Sequence, residues 1–134
     1  MRVMGPPALA IAILDDEEAF RRALSRLLRA HDHHAFAYDT GEALLRDVRM
    51  RKFDCLLLDL DMPGMSGFDV LAELARNPAS PPAIAITGND DPDSAQRALA
   101  LGAFACQRKP MGAASLLETI GRACAGLRPA GVAP

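Results

Sequence analysis

Four short segments of this chain carry the residues best suited to chemistry. Asp15-Asp16 follows the apolar run Ala8–Leu14, and Asp59 follows Cys55-Leu56-Leu57-Leu58. Thr87 follows Ala83-Ile84-Ala85-Ile86, and Lys109-Pro110 follows the weaker stretch Ala103–Cys106. Gathered in one place, they would offer three carboxylates, a hydroxyl and an ammonium. Crowded carboxylates repel one another by several kcal/mol at low effective dielectric, so such a site requires a compensating cation. Mg²⁺ suits it, because it favours oxygen ligands and keeps waters that exchange for phosphate oxygens. The chain has 13 Arg but just two Lys, Lys52 and Lys109, and one of these stands at a critical strand end. A compact ammonium fits a tight phosphoryl site where a guanidinium fork demands more room. Acids at a helix start would account for Asp15-Asp16 alone, and a turn before Pro63 for Asp59 alone. Neither accounts for all four ends together.

The elements between these ends are those that would bring them together. Phe20, Leu24, Leu27 and Leu28 share one face of a first helix, and Ala35–Tyr38 reads as a short strand. Thr40 caps a helix carrying Ala43, Leu44, Leu45 and Val48; Phe68, Val70, Leu71, Leu74 and Ala75 mark another, closed by Asn77-Pro78. Asp91-Pro92 opens a fourth helix that runs to Gly102, and Leu116, Leu117, Ile120 and Ala123 face inward from a fifth. The strands are continuous apolar runs, the pattern of a parallel sheet covered on both faces by crossover helices. Ligands on such sheets bind beyond the carboxyl ends of the strands, where all four segments lie. The α/β domain is expected over residues 8–125, with a disordered lead at 1–7 and a tail or linker at 126–134.

The motifs Ile13-Leu14-Asp15-Asp16-Glu17, Leu58-Asp59-Leu60-Asp61-Met62-Pro63-Gly64-Met65-Ser66-Gly67, Ile86-Thr87-Gly88, Gly102-Ala103 and Lys109-Pro110 resemble, in order, those of the receiver domain of two-component response regulators. The resemblance spans nearly the whole chain and implies a flavodoxin-like, doubly wound (βα)5 fold with strand order 2-1-3-4-5. It implies that Asp59 accepts a phosphoryl group from a sensor histidine kinase or a phosphotransfer protein, the domain catalysing its own phosphorylation and dephosphorylation. Asp16, Asp59 and the backbone carbonyl of Asp61 would bind Mg²⁺ directly, with Asp15 acting through water or by orienting the metal shell. Thr87 and Lys109 would stabilise the phosphoryl group, and a surface of the fourth helix, fifth strand and fifth helix would switch, acting on an effector or pairing two copies on phosphorylation. Receivers usually carry Tyr or Phe three residues before the lysine. Cys106 stands there instead, followed by a polar Gln107, and Phe104 shares its strand parity. Two alternatives accompany this reading: a degenerate receiver that binds partners without phosphorylation, and a haloacid-dehalogenase-type phosphatase, suggested by Asp59-Leu60-Asp61.

Composition sets the outer limits. Across 134 residues the net charge is −2, with no run of five like charges, which argues against a nucleic-acid footprint. Trp is absent and aromatics are 4% of the chain, too few for a base-stacking platform. Three scattered cysteines fit reduced thiols in the cytoplasm. The apolar stretch Ala8–Leu14 runs straight into Asp15-Asp16-Glu17-Glu18, as a buried strand would and a signal peptide would not. No run reaches the ~20 residues of a membrane span. The histidines of His31-Asp32-His33-His34 are read as a solvated loop rather than a metal site.

Overall fold

The apolar runs become five parallel strands, β1 (Ala10–Leu14), β2 (His34–Tyr38), β3 (Cys55–Asp59), β4 (Ala83–Thr87) and β5 (Ala105–Arg108), in a computed structural model that describes residues 8–126. Their order in the sheet is β2-β1-β3-β4-β5. Five helices alternate with them: α1 (Glu18–Ala30), α2 (Gly41–Met50), α3 (Gly67–Leu74), α4 (Pro92–Ala100) and α5 (Ala113–Cys124). The expectations for residues 1–7 and for the tail past 126 lie outside the described residues.

Alternation along each strand sorts the core into two layers. Ala12, Leu14, Leu56, Leu58, Ala83 and Ala85 face α2, α3 and α4, meeting Leu44, Val70, Leu71 and Ala98. Ile11, Ile13, Leu57, Ile84 and Ile86 face α1 and α5, meeting Leu24, Leu28, Leu116 and Ile120. The central strands β3 and β4 are buried along their whole length because helices cover both faces. That is why they read as unbroken apolar runs.

Local signals fix the helix starts. The Thr40 hydroxyl accepts the Ala43 amide, and Ser66 and Asp69 form a reciprocal capping box at α3. Asp91 caps α4 with Pro92 at its first position. At the start of α3, Gly67 lies against the acceptor loop so closely that a Cβ would collide with the carbonyl group of Asp59 and come within 3.1 Å of Leu60 Cα. The helix therefore begins directly against the backbone that carries Asp59, and the missing side chain sets that approach.

Two strand boundaries differ from the sequence reading. β1 begins at Ala10, where pairing with His34 starts, instead of at Ala8. β5 runs over Ala105–Arg108 instead of Ala103–Cys106, because the turn that closes α4 at Gly102 occupies the earlier residues. Phe104 therefore precedes the strand and escapes its alternation. It packs in the α1/α5 layer, whereas Cys106 packs in the α2/α3/α4 layer, so strand parity does not make Phe104 a replacement for the missing aromatic. His34 belongs to β2 and is not a loop residue. No helix among the described residues is long and apolar enough to cross a membrane.

Candidate functional site

Parallel pairing places the ends of β1, β3, β4 and β5 along one rim. Leu14 pairs with Leu58, Asp59 with Ile86, and Thr87 with Arg108. Asp15, Asp59 and Thr87 are all buried there, the only buried polar or charged residues of the described chain besides Ser25. Carboxylate oxygens of Asp15, Asp16 and Asp59 lie within 4.8 Å of one another. Asp16 is the exposed member of the three. Three hard oxygen donors so placed, one facing solvent, fit a small divalent cation that keeps part of its water shell.

Lys109 supplies the positive charge. Its Nζ donates to Asp15 Oδ2 at 2.8 Å and lies 3.9 Å from Asp59 Oδ2. The ammonium also sits 4.0 Å from the centre of the Phe20 ring, which holds it over the rim by cation–π attraction. Asp15 is further fixed, its Oδ1 accepting the Glu17 amide at 2.8 Å. Its own carbonyl accepts from Arg21 at 2.8 Å. Burial alone would lower the lysine's pKa; the hydrogen bond to Asp15 and the charges of Asp59 and Asp15 outweigh it and raise it.

Asp59 is less comfortable. Burial pushes its carboxyl up to about 6, against the Asp61 amide, which donates to Oδ1 at 2.9 Å. The Asp15 charge adds to the rise and Lys109 opposes it. A partly desolvated carboxylate facing two others is poised either to take up a cation or to change its own charge state.

The side chain of Asp61 has a part that sequence reasoning missed. It turns toward the end of β4, where Oδ2 accepts from the Thr87 hydroxyl at 2.9 Å and from the Gly88 amide at 2.7 Å. Asn89 Nδ2 donates to Oδ1 at 3.0 Å. Thr87 thus donates its hydroxyl hydrogen bond to Asp61, while its own oxygen accepts the Asn89 amide at 3.2 Å. The sequence signal was an acid two residues past Asp59 and an amide two residues past Thr87.

Around this rim, Cys106 is half-buried, and burial together with the Asp61 charge raises its thiol pKa. The polarity of Gln107 is explained by α5, since its Nε2 donates to Thr119 Oγ1 at 2.6 Å. The histidine cluster stays remote from the carboxylates. His33 Nδ1 accepts the Leu9 amide at 3.1 Å, ahead of β1, and His31 Nδ1 lies 3.0 Å from the Leu27 carbonyl.

Comparison with known proteins agrees with this geometry. The family model described as a response regulator receiver domain matches residues 11–121. The response regulator protein TodT of Pseudomonas putida is 36% identical over 129 residues, covering 96% of this chain and 56% of TodT. The chain thus spans about half the length of that relative. Among solved structures, FixJ-N superimposes with a TM-score of 0.84 at 31% identity, covering 92% of this chain and 99% of that one. The beryllofluoride-activated NtrC4 receiver domain dimer does so with a TM-score of 0.82 at 26% identity, covering 87% and 97%.

Proposed function

This chain belongs to the family of response-regulator receiver domains, and we propose that within it Asp59 is the residue that takes a phosphoryl group from the phosphohistidine of a sensor kinase or phosphotransfer protein. The observation that carries this is the placing of Asp59: a buried carboxylate at the end of β3, within 4.8 Å of two others and 3.9 Å from an ammonium. Asp16, Asp59 and the main-chain carbonyl of Asp61 would hold Mg²⁺, with Asp15, already committed to Lys109, acting through water. When bound, the ion supplies positive charge for the phosphoryl oxygens.

The protein's own groups do the rest by position. The transferring phosphoryl group spreads charge over its equatorial oxygens, and preformed donors aimed at them lower the barrier. Lys109, held by Asp15 and Phe20, is one such donor. Thr87 is a second, and it must first leave Asp61. Phosphorylation adds negative charge and acceptor oxygens beside Asp59, so the Thr87 hydroxyl and Gly88 amide face two competing acceptors. We take that competition to be the switch, read out by α4, β5 and α5 on an effector or on a second copy of the chain. The phosphatase alternative has lost its support, since the acidic pair stands on β1, ahead of Asp59 on β3, in a chain that matches receivers over residues 11–121.

Beryllofluoride, an aspartyl-phosphate mimic, tests the reading. With Mg²⁺ it is expected to bind the native chain and shift the backbone NMR signals of Gly88 and Lys109. Asp16→Asn is expected to weaken Mg²⁺ binding by about tenfold or more, since even changes behind the metal ligands cost 10- to 100-fold. Failure of beryllofluoride to bind in saturating Mg²⁺ would favour the degenerate receiver instead.

Asp61→Ala separates the competing acceptors. It keeps the main-chain carbonyl but frees Thr87 and Gly88 and removes a negative charge near Asp59. Beryllofluoride is expected to bind about tenfold more tightly, the equivalent of one hydrogen bond to a charged group. Unchanged or weaker binding in a titration at fixed Mg²⁺ would show that Asp61 does not restrain Thr87.

A further inference from the structure

The rim uses none of the three cysteines, and two of them meet at the opposite end of the sheet. Cys55 opens β3 and is completely buried, while Cys124 closes α5 and is exposed. The last turn of α5 lies over the start of β3. Ala123 packs in the same core layer as Cys55, and Cys124 Sγ lies 3.5 Å from the carbonyl oxygen of Asp54, the residue preceding Cys55. Cys55 Sγ lies 3.8 Å from the Leu56 carbonyl on the same stretch of chain, and each thiol perturbs the acidity of the other. Cys106 lies in the other layer, with the sheet between it and this pair.

We propose that Cys55 and Cys124 form a redox site, in which a peroxide converts the facing thiols into an intramolecular disulfide that ties the start of β3 to the last turn of α5. The exposed sulfur reacts first. The Cys124 thiolate attacks one peroxide oxygen, the O–O bond breaks, and hydroxide (or the alkoxide of an organic peroxide) leaves, giving a sulfenic acid. The Cys55 sulfur then attacks the Cys124 sulfur. The S–S bond forms, the S–O bond breaks, and the departing hydroxide takes the Cys55 proton as water. The two thiols lose two electrons in all, and the peroxide gains them. A dithiol reductant reverses the exchange.

The acidities of the pair agree with this division of roles. The contact with Cys55 lowers the Cys124 thiol, favouring the nucleophilic thiolate. The same contact, with burial, raises Cys55 well above the ordinary range, which makes it the slower, resolving partner. Nothing in this chemistry depends on Asp59, so the site stands or falls independently of the phosphoacceptor.

Hydrogen peroxide applied to the native chain, followed by alkylation, non-reducing trypsin digestion and mass spectrometry, tests it. The oxidised chain is expected to be lighter by two hydrogens, with the peptide 53–76 joined to the peptide beginning at Ala123. Dithiothreitol should restore both free peptides, and the oxidised form should unfold at a higher denaturant concentration because a long loop is closed. Cys106→Ser is expected to change nothing, and Cys124→Ser, at an exposed helix end, to abolish the link. Oxidation of Cys124 to sulfinic acid, or a Cys124–Cys124 bond between two copies, with Cys55 still alkylated after denaturation, would overturn the proposal.

Discussion

Asp59→Asn is expected to abolish phosphoryl transfer to the chain while making the metal-free domain more stable by about 2 kcal/mol near neutral pH. Both effects have one cause. Asp59 is buried beside Asp15, and its carboxyl is pushed from the ordinary 3.8 up to about 6. A carboxyl whose pKa is higher in the folded state holds its proton more tightly there, so acid stabilises this site. Metal-free stability should therefore rise as pH falls from 7 through 6 toward 4, before other carboxylates protonate and reverse the trend. The full shift would convert to roughly 3 kcal/mol. The open side of the rim, where Asp16 meets solvent, reduces that figure. Asparagine removes the charge at every pH, so the variant should lack this part of the pH dependence. Denaturant unfolding in EDTA at pH 7 and pH 5 measures it, and incubation with a labelled phosphodonor measures the transfer. A variant that loses transfer and stability together would point to a misfolded rim. One that keeps transfer at the normal rate would remove Asp59 from its role.

Such a cost helps to explain what was legible in the sequence. Buried carboxylates at two strand ends, Asp15 after β1 and Asp59 on β3, oppose folding, so in a sequence of apolar strands they stand out as departures that a function must sustain. Asp15, Asp16, Asp59, Thr87 and Lys109 could be read because each terminates or follows its strand run. Parallel pairing alone then brings them to one rim. The helices were legible for the same kind of reason, since Thr40 and Asp91 announce two starts and the apolar spacing of Phe68, Val70, Leu71 and Leu74 marks α3, whose Ser66 capping box only the structure revealed. What was not legible depends on side-chain direction across the sheet. Asp61 could be placed near Asp59, but that its carboxylate turns to Thr87, Gly88 and Asn89 depends on the path of the loop between β3 and α3. Phe104 looked equivalent to Cys106 by alternation, and the late start of β5 put it in the other layer. The meeting of Cys124 with Cys55 depends on where the last turn of α5 crosses β3, which no local pattern encodes.

On the reading that Asp59 is the phosphoacceptor, the aromatic absent at position 106 shifts weight onto the hydrogen-bonded part of the proposed switch. A small half-buried thiol cannot occupy the space that a ring would leave or fill as Thr87 moves, and Phe104 faces away in the other layer. What remains to report the state of Asp59 is the set of donors shared between it and Asp61, and the lysine on the other side. Of these, Lys109 makes, among the described residues, the only direct ionic contacts to both Asp15 and Asp59.

Lys109→Ala should accordingly give the second large effect, slowing phosphorylation of Asp59 by about 10²- to 10³-fold, the usual cost of removing one preorganised donor from a developing anion. Its Nζ is held by Asp15 at 2.8 Å and by the Phe20 ring at 4.0 Å, so little reorganisation is needed when charge appears on the phosphoryl group. Removing it also leaves Asp15, 1% exposed, without its cationic partner. Breaking a buried pair by deleting one member costs about 3–5 kcal/mol where no water can enter, and the open rim places this site below that range. Mg²⁺ should recover part of the lost stability in the variant, since it offers the orphaned carboxylate a new counter-charge. It should not recover the rate, which depends on a donor the metal does not replace. Single-turnover phosphorylation at saturating Mg²⁺, with unfolding curves measured in Mg²⁺ and in EDTA, separates the two consequences. A near-normal rate at saturating Mg²⁺ would reduce Lys109 to a structural counter-ion for Asp15. A Lys109→Arg variant distinguishes further: the charge stays, but a planar fork must fit between Asp15 and the Phe20 ring. If position as well as charge matters, its stability should recover more than its rate.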